Sequence, residues 1–134
     1  MKLEGLEHVG IVVSDLDGCI KTFEDVLGIK CEARQSVEGN KVDVAEFNLG
    51  NTKLELVTPT DPASAVSKFL AARGNGIHHI CLRVKDIEGW LDALSKRGVD
   101  LIDKVPRHGA HGRSVAFLSP KSVCNVLVEL TEYK

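Results

Sequence analysis

The sequence predicts an α+β fold in which two paired βαβββ modules form an eight-stranded curved sheet with helices on its outside. The chain repeats itself at a fixed offset, and each copy has the pattern of a strand, a helix and three more strands. The length of 134 residues suits one domain. Hydrophobic residues make up 43% and charged residues 27%, which is typical of a globular chain and excludes a disordered tail or a collagen-like repeat.

The charge balance limits the kinds of partner. Lys and Arg number 17 and Asp and Glu number 19, so we expect no protein-wide positive field for nucleic acid or an anionic membrane. No apolar run approaches the roughly 18 residues of a membrane-spanning helix, and residues 1–5 lack a signal-peptide pattern. The four cysteines form no CxxC motif, so reduced thiols are expected. We therefore predict a cytoplasmic protein that binds neither nucleic acid nor membrane.

The repeat becomes visible when the sequence is shifted by 71 positions. Residues 8–16 then coincide with residues 79–87, with His, Val and Asp recurring and aliphatic residues exchanging between them. At a shift of 74, residues 54–56 coincide with residues 128–130. The second copy therefore carries three extra residues, which we place in the turn at 119–125.

The first module follows from periodicity. A strand is predicted over residues 6–13, and Ser14 or Asp15 caps the helix that follows. Apolar residues spaced by four, three and four lie on one face of that helix: Leu16, Ile20, Phe23 and Leu27. Gly28 suits the residue after the helix, and turns at 38–40 and 50–51 separate three strands, at 30–37, 41–49 and 53–57.

The second module repeats this order. A strand over 77–84 precedes a helix that starts at Asp86 and ends at Gly98. Strands follow near Leu101, at 114–118 and at 125–131. Between the modules, 59–62 breaks the chain and 63–72 is predicted to be a short helix. We therefore divide a single domain, 1–134, into module one at about 1–58, a linker at about 59–75 and module two at about 76–134.

Four polar residues fall on the sheet face opposite the apolar side chains, because strand side chains alternate with a period of two. They are His8, Glu55, His79 and Glu129. A lone His or Glu on a strand is usually a solvated polar residue. Two of each at repeat-equivalent positions instead predict that they converge on a divalent metal ion. Nitrogen and oxygen ligands without thiolate suit Co, Mn, Ni, Zn or Fe.

Several longer strings resemble the methylmalonyl-CoA epimerase family of the vicinal-oxygen-chelate superfamily, which includes glyoxalase I. They are HVGI at 8–11, LGNTKLEL at 49–56, GIHHI at 76–80, GAHG at 109–112, PKS at 120–122 and VLVEL at 126–130. The resemblance covers essentially the whole chain. It implies one divalent metal per chain on the four residues named above, an acyl-CoA substrate and a homodimer. It also implies epimerisation by removal of the proton alpha to the thioester.

The resemblance implies that Glu129 is both a metal ligand and one acid/base group. Some family members place the second acid/base Glu at the position of Val44, where this sequence departs from the pattern. Glu46 lies two residues further on and therefore on the same strand face, so we predict it as the second base. Ala45, Phe47 and Leu49 form the alternate apolar set, so Asn48 should share the face of Glu46.

Substrate contacts are predicted beside this face. His111 and Asn48 are expected to contact the substrate. Lys121, Arg113 and Arg107 are candidates for the CoA phosphates, since cations bind phosphate through charge-assisted hydrogen bonds. The chain has Ser119 and the pair Cys124-Asn125 where the family often has His and a Gly-Gly pair. His78 should point away from the metal face.

Three other functions fit the same fold. One is a glyoxalase I-type lactoylglutathione lyase, whose glutathione substrate needs fewer cations than CoA. Another is a ring-cleaving dioxygenase with a two-His-one-carboxylate iron site, against which the fourth ligand, Glu55, argues. The third is a metal-free small-molecule-binding protein, against which four intact ligand positions argue.

Overall fold

The structure is a computed structural model, and it describes residues 1–133. Strands and helices follow one another in the order that the repeat predicts. The strands are β1 (Leu3–Val12), β2 (Cys31–Val37), β3 (Val42–Asn48), β4 (Lys53–Pro59), β5 (Gly76–Val84), β6 (Arg107–His108), β7 (Ser114–Leu118) and β8 (Val128–Glu132). The helices are α1 (Leu16–Leu27), α2 (Ala65–Arg73) and α3 (Ile87–Lys96). The predicted α+β fold of two βαβββ modules is confirmed, with the eight strands hydrogen-bonded in the order β2-β3-β4-β1-β5-β8-β7-β6.

The chain forms two compact units that share β1. The N-terminal unit is His8–His78, and the C-terminal unit is Met1–Glu7 together with the chain from His79 onward. None of the helices in residues 1–133 combines the length and the apolar character needed to cross a bilayer. The predicted bounds of the modules and of the linker stay a prediction.

In the N-terminal unit, β3 lies between β2 and β4 in antiparallel pairing, and β4 pairs in parallel with β1. One face of the sheet packs against α1. The apolar residues of α1 recur at helical spacing and so form a single stripe that faces the sheet. The buried cluster consists of Val13, Leu16, Ile20, Ala45, Phe47 and Leu56. The rings of Phe23 and Phe47 lie 5.7 Å apart, which joins the helix to the centre of the sheet. The opposite face is thus left for polar side chains.

The C-terminal unit repeats this arrangement. β8 pairs in parallel with β5 and antiparallel with β7, and the two-residue strand β6 lies at the edge. The buried cluster joins α3 to the sheet and consists of Val84, Ile87, Leu91, Leu101, Ala116, Leu118, Val128 and Leu130.

Both main helices begin with the same cap, 71 positions apart. Asp15 accepts a hydrogen bond from the amide of Gly18 at 3.1 Å, and Asp86 accepts one from the amide of Gly89, also at 3.1 Å. Each carboxylate therefore satisfies an amide that the first turn of a helix leaves unbonded. A Cβ at either glycine would lie within 2.3 Å of that carboxylate, so the cap requires glycine there. Of the two predicted caps for α1, Asp15 is the one observed.

Some predicted boundaries are wrong. β1 begins at Leu3 rather than at residue 6, and β8 begins at Val128 rather than at 125. Cys124 and Asn125 have positive φ angles of 53° and 68°, which make a turn instead of a strand. The strand predicted near Leu101 is only a single bridge to Leu118. Leu49 is 42% exposed rather than part of the apolar set.

Candidate functional site

In the N-terminal unit the structure brings together two of the predicted metal ligands. The parallel register of β1 and β4 places Gly10 opposite Glu55. His8 is two residues before Gly10 and therefore lies on the same face of β1. The His8 Nδ1 atom lies 3.2 Å from the Glu55 Oε2 atom. Both residues are buried, each with 6% of its surface exposed. An imidazole and a carboxylate therefore face each other away from bulk water.

The C-terminal unit carries the equivalent pair. The His79 Nε2 atom, on β5, lies 3.3 Å from the Glu129 Oε1 atom, on β8, and both residues are buried. The ring of Phe117 packs edge-on against His79, with 5.7 Å between the ring centroids, and lies opposite Glu129 in the β7–β8 register. The repeat in the sequence therefore gives each unit a buried His–Glu pair at equivalent positions.

The donor set of each unit fits a divalent metal ion. Each unit offers one imidazole nitrogen and one carboxylate oxygen, and the four residues are among the buried groups able to give one ligand atom each. Burying ionisable groups is unfavourable unless they are paired or coordinate a metal. Mixed nitrogen and oxygen ligands without thiolate suit Mn, Fe, Co, Ni and Zn. The two His–Glu pairs are thus candidate ligands for a divalent metal ion.

Glu46 lies where alternation along β3 predicts it. Its neighbours Ala45 and Phe47 are fully buried in the apolar cluster, whereas Glu46 is directly opposite Glu55 on β4. Glu46 is 5% exposed, and its Oε1 atom lies 3.3 Å from the Lys53 Nζ atom. The predicted second base is therefore a buried carboxylate with an ammonium partner.

Arg113 belongs to a cluster of charged and aromatic groups around the buried Glu7 in the C-terminal unit. Its Nη1 atom lies 3.5 Å from the Glu7 Oε1 atom, and its guanidinium stacks on the ring of Tyr133 at 4.0 Å. The Tyr133 hydroxyl donates a hydrogen bond to Glu7, and Arg83 stacks on the same ring at 3.8 Å. The described contacts of Arg113 are therefore made within the protein.

Comparison with known proteins shows the family of this chain. Residues 7–117 match the family model of the glyoxalase/bleomycin resistance protein/dioxygenase superfamily. The ethylmalonyl-CoA/methylmalonyl-CoA epimerase of Cereibacter sphaeroides is 38% identical, over 95% of this chain and 96% of its own. This chain belongs to the methylmalonyl-CoA epimerase family. The predicted resemblance is therefore confirmed, and the chain is an enzyme of this family.

Two further relatives of this epimerase-family chain extend the comparison. The uncharacterised protein YqjC of Bacillus subtilis is 43% identical, over 96% of this chain and 92% of its own. The structure of the Streptomyces coelicolor methylmalonyl-CoA epimerase, in complex with 2-nitronate-propionyl-CoA, superimposes with a TM-score of 0.93. It is 31% identical and covers 98% of this chain, with 95% of its own length matched. The fold therefore agrees over nearly the whole length of both chains.

The remaining predicted substrate residues of this epimerase-family chain are on the surface. His111 is exposed in a short 3-10 turn (Ala110–Gly112) and has a positive φ of 59°. Lys121 is exposed in a second such turn (Pro120–Ser122). Asn48 is exposed too, and its Oδ1 atom accepts a hydrogen bond from the amide of Gly50 at 2.9 Å. The Arg107 Nε atom lies 3.3 Å from an oxygen of Asp103.

Sequence reasoning missed Lys53, Glu7 and Tyr133. A signal existed for Lys53, because it lies two residues before Glu55 and therefore shares its strand face. No local pattern marks Glu7 and Tyr133, which are 126 positions apart in the sequence. His78, by contrast, packs edge-on against Phe69 on α2, with 4.9 Å between ring centroids, as a packed histidine rather than a ligand.

Proposed function

We propose that this chain catalyses the epimerisation of methylmalonyl-CoA, using one divalent metal ion bound by His8, Glu55, His79 and Glu129. The observation that carries the proposal is the buried His–Glu pair that recurs at equivalent positions of the two units. Membership of the epimerase family supports it. A divalent ion, when bound, polarises the thioester carbonyl and stabilises the negative charge that develops on its oxygen.

The acid/base work is proposed for two buried carboxylates, one in each unit. Glu129 removes the alpha proton from one face of the substrate, and the electron pair of the C–H bond moves into the thioester to give a planar enolate. Glu46, in its protonated form, returns a proton to the opposite face, and the two residues exchange roles in the reverse direction. No electron is gained or lost, so this step needs no redox partner.

Glu46 suits this task because its burial excludes competing water. It is 5% exposed, and the apolar neighbours Ala45 and Phe47 anchor β3 on the other face of the sheet. A base that is held in place loses less entropy in reaching the geometry of proton transfer.

The CoA part of the substrate is proposed to bind at the exposed turns. Lys121 and His111 support this because their side chains are exposed to solvent. Arg113 and Asn48 are also proposed to contact the substrate. In the structure their described polar contacts are with Glu7 and Gly50. The homodimer and the cytoplasmic location implied earlier also stay predictions.

A comparison of two substrates tests the proposal. Protein loaded with Mn²⁺ or Co²⁺ is assayed with a single epimer of methylmalonyl-CoA and, separately, with the hemithioacetal of glutathione and methylglyoxal. We expect the methylmalonyl-CoA epimer to be converted into a mixture of both epimers and the hemithioacetal to be left unchanged. Turnover of the hemithioacetal without epimerisation would instead assign the chain to the glyoxalase I-type lyases.

A further inference from the structure

Lys53 shares one face of the N-terminal sheet with three residues of the proposed chemistry. The parallel register of β1 and β4 pairs His8 with Lys53. The antiparallel register of β3 and β4 pairs Glu46 with Glu55. Lys53 and Glu55 are two residues apart on β4, so their side chains point to the same side. The four side chains therefore lie next to one another on two adjacent strand pairs.

Each of the two carboxylates on this face has a nitrogen-bearing side chain close to it. Two carboxylates directly opposite each other on neighbouring strands repel, and Glu46 and Glu55 are both buried. A basic side chain lies near each of them. His8 lies 3.2 Å from Glu55, and Lys53 lies 3.3 Å from Glu46. In the proposed function His8 and Glu55 bind the metal and Glu46 is the base. Lys53 is then the side chain on this face that can position Glu46.

We propose that Lys53 is a positioning residue that orients the Glu46 carboxylate for proton transfer. The inference rests on the proposed epimerase function and adds a residue to it. A Glu side chain turns about three torsions, and only a small part of that range brings its carboxylate to a reacting proton. The Lys53 ammonium lies 3.3 Å from one oxygen of that carboxylate, Oε1, and so restricts its orientation. The Lys53 side chain is 22% exposed, so its stem is held by packing rather than free in solvent.

Three variants separate this role from a purely structural ion pair. Lys53→Met removes the ammonium and keeps an unbranched stem, whereas Lys53→Arg keeps a cation. Lys68→Met, at an exposed position on α2, is the matched control. Each protein is checked for cooperative thermal unfolding and for Mn²⁺ affinity by calorimetry. Then kcat, KM and exchange of the alpha proton in deuterated water are measured, starting from each epimer in turn.

For Lys53→Met we expect kcat to fall about 10- to 100-fold, because misplacing a reacting group by about 1 Å has effects of that order. KM and Mn²⁺ affinity should stay within about threefold of wild type, the pattern of an interaction that matters in the transition state. Exchange should slow more for one epimer than for the other, because only one face depends on Glu46. Lys53→Arg should recover most of kcat. If Lys53→Met loses cooperative unfolding, Lys53→Gln repeats the test with the same expected result.

The contrary outcomes are distinct. A raised KM with unchanged kcat would show that Lys53 binds the substrate, and wild-type kinetics in folded Lys53→Met would show that Glu46 needs no such partner. Either result overturns the inference alone, provided that wild type and Lys68→Met epimerise methylmalonyl-CoA. A metal-loaded wild-type protein without epimerase activity rejects the proposed function, and with it this inference.

Discussion

Glu46 is a buried acid whose place in the sheet is fixed by its neighbours on β3. Replacing it by Gln keeps the shape and one hydrogen-bonding oxygen but removes the basic carboxylate. We expect Glu46→Gln to lower kcat for epimerisation by about 10²-fold or more, the usual contribution of a general base. One epimer should still exchange its alpha proton with solvent through Glu129. Steady-state assays and exchange followed by proton NMR measure the two effects.

The control for this substitution is Glu38→Gln, an exposed glutamate in the turn between β2 and β3, which should leave the kinetics unchanged. Metal affinity should be the same in wild type, Glu46→Gln and Glu38→Gln. Epimerisation near the wild-type rate by Glu46→Gln would exclude Glu46 as the second base. His111, the next candidate from the sequence, would then be tested in the same way.

The cysteines should differ in reactivity. Cys124 is exposed, whereas Cys81 is fully buried. Burial, and to a smaller extent the Asp15 carboxylate, raise the pKa of the Cys19 thiol, so less of it is the reactive thiolate at neutral pH. We therefore expect a thiol reagent such as 5,5′-dithiobis(2-nitrobenzoic acid) to modify Cys124 first. Loss of the fast phase in Cys124→Ser checks the assignment, and a fast phase that persists would contradict it.

Individual residues were predictable where a local period decides their direction. Alternation put the four predicted metal ligands and Glu46 on the sheet face away from the core, where the structure has them. The partner of each polar side chain depends on strand register, which the sequence does not give directly.

Asn48 shows the limit of alternation at the end of a strand. Its side chain bonds to the amide of Gly50 and closes the turn after β3. Local hydrogen bonds of this kind are typical of Asn and compete with the direction that the strand would impose.

At the scale of elements, the repeated caps make a measurable contribution. Asp15→Ala removes the carboxylate that accepts from the Gly18 amide at the start of α1. We expect the free energy of unfolding to fall by about 1 kcal/mol, the typical effect of losing an N-cap. Urea denaturation measures the change. Glu32→Ala, an exposed acid on β2, is the control and should change stability by less than about 0.5 kcal/mol. Equal stability of Asp15→Ala and wild type would show that the cap is not needed.

Element types followed from the sequence more faithfully than element ends. α1 was predicted because its apolar spacing is regular, and Gly28 ends it with a φ of 68° as expected. β7 has the predicted bounds. Strands whose ends depend on pairing were less predictable. β1 extends back to Leu3, and β6 has two residues, because hydrogen bonds to a neighbouring strand rather than local propensity decide those lengths.

For the whole molecule, the proposal requires ligands from both units in one metal site. We therefore expect a stoichiometry of one Mn²⁺ per chain in wild type, and none in the double variant His8→Ala, His79→Ala. Bound metal should also raise the melting temperature of wild type, since a ligand present at about 100 times its Kd stabilises the folded state by about 2.7 kcal/mol. Calorimetry and thermal unfolding with and without metal measure both. Full metal occupancy in the double variant would exclude the proposed ligands.

The measurement closest to the central claim is exchange of the substrate's alpha proton. Metal-loaded protein is incubated with one epimer of methylmalonyl-CoA in deuterated water, and both deuterium at the alpha carbon and the ratio of the epimers are followed. The proposed two-base reaction predicts that deuterium enters as the epimers interconvert, and that both processes stop in the His8→Ala, His79→Ala variant. Absence of exchange and interconversion in the metal-loaded wild-type protein would contradict the account.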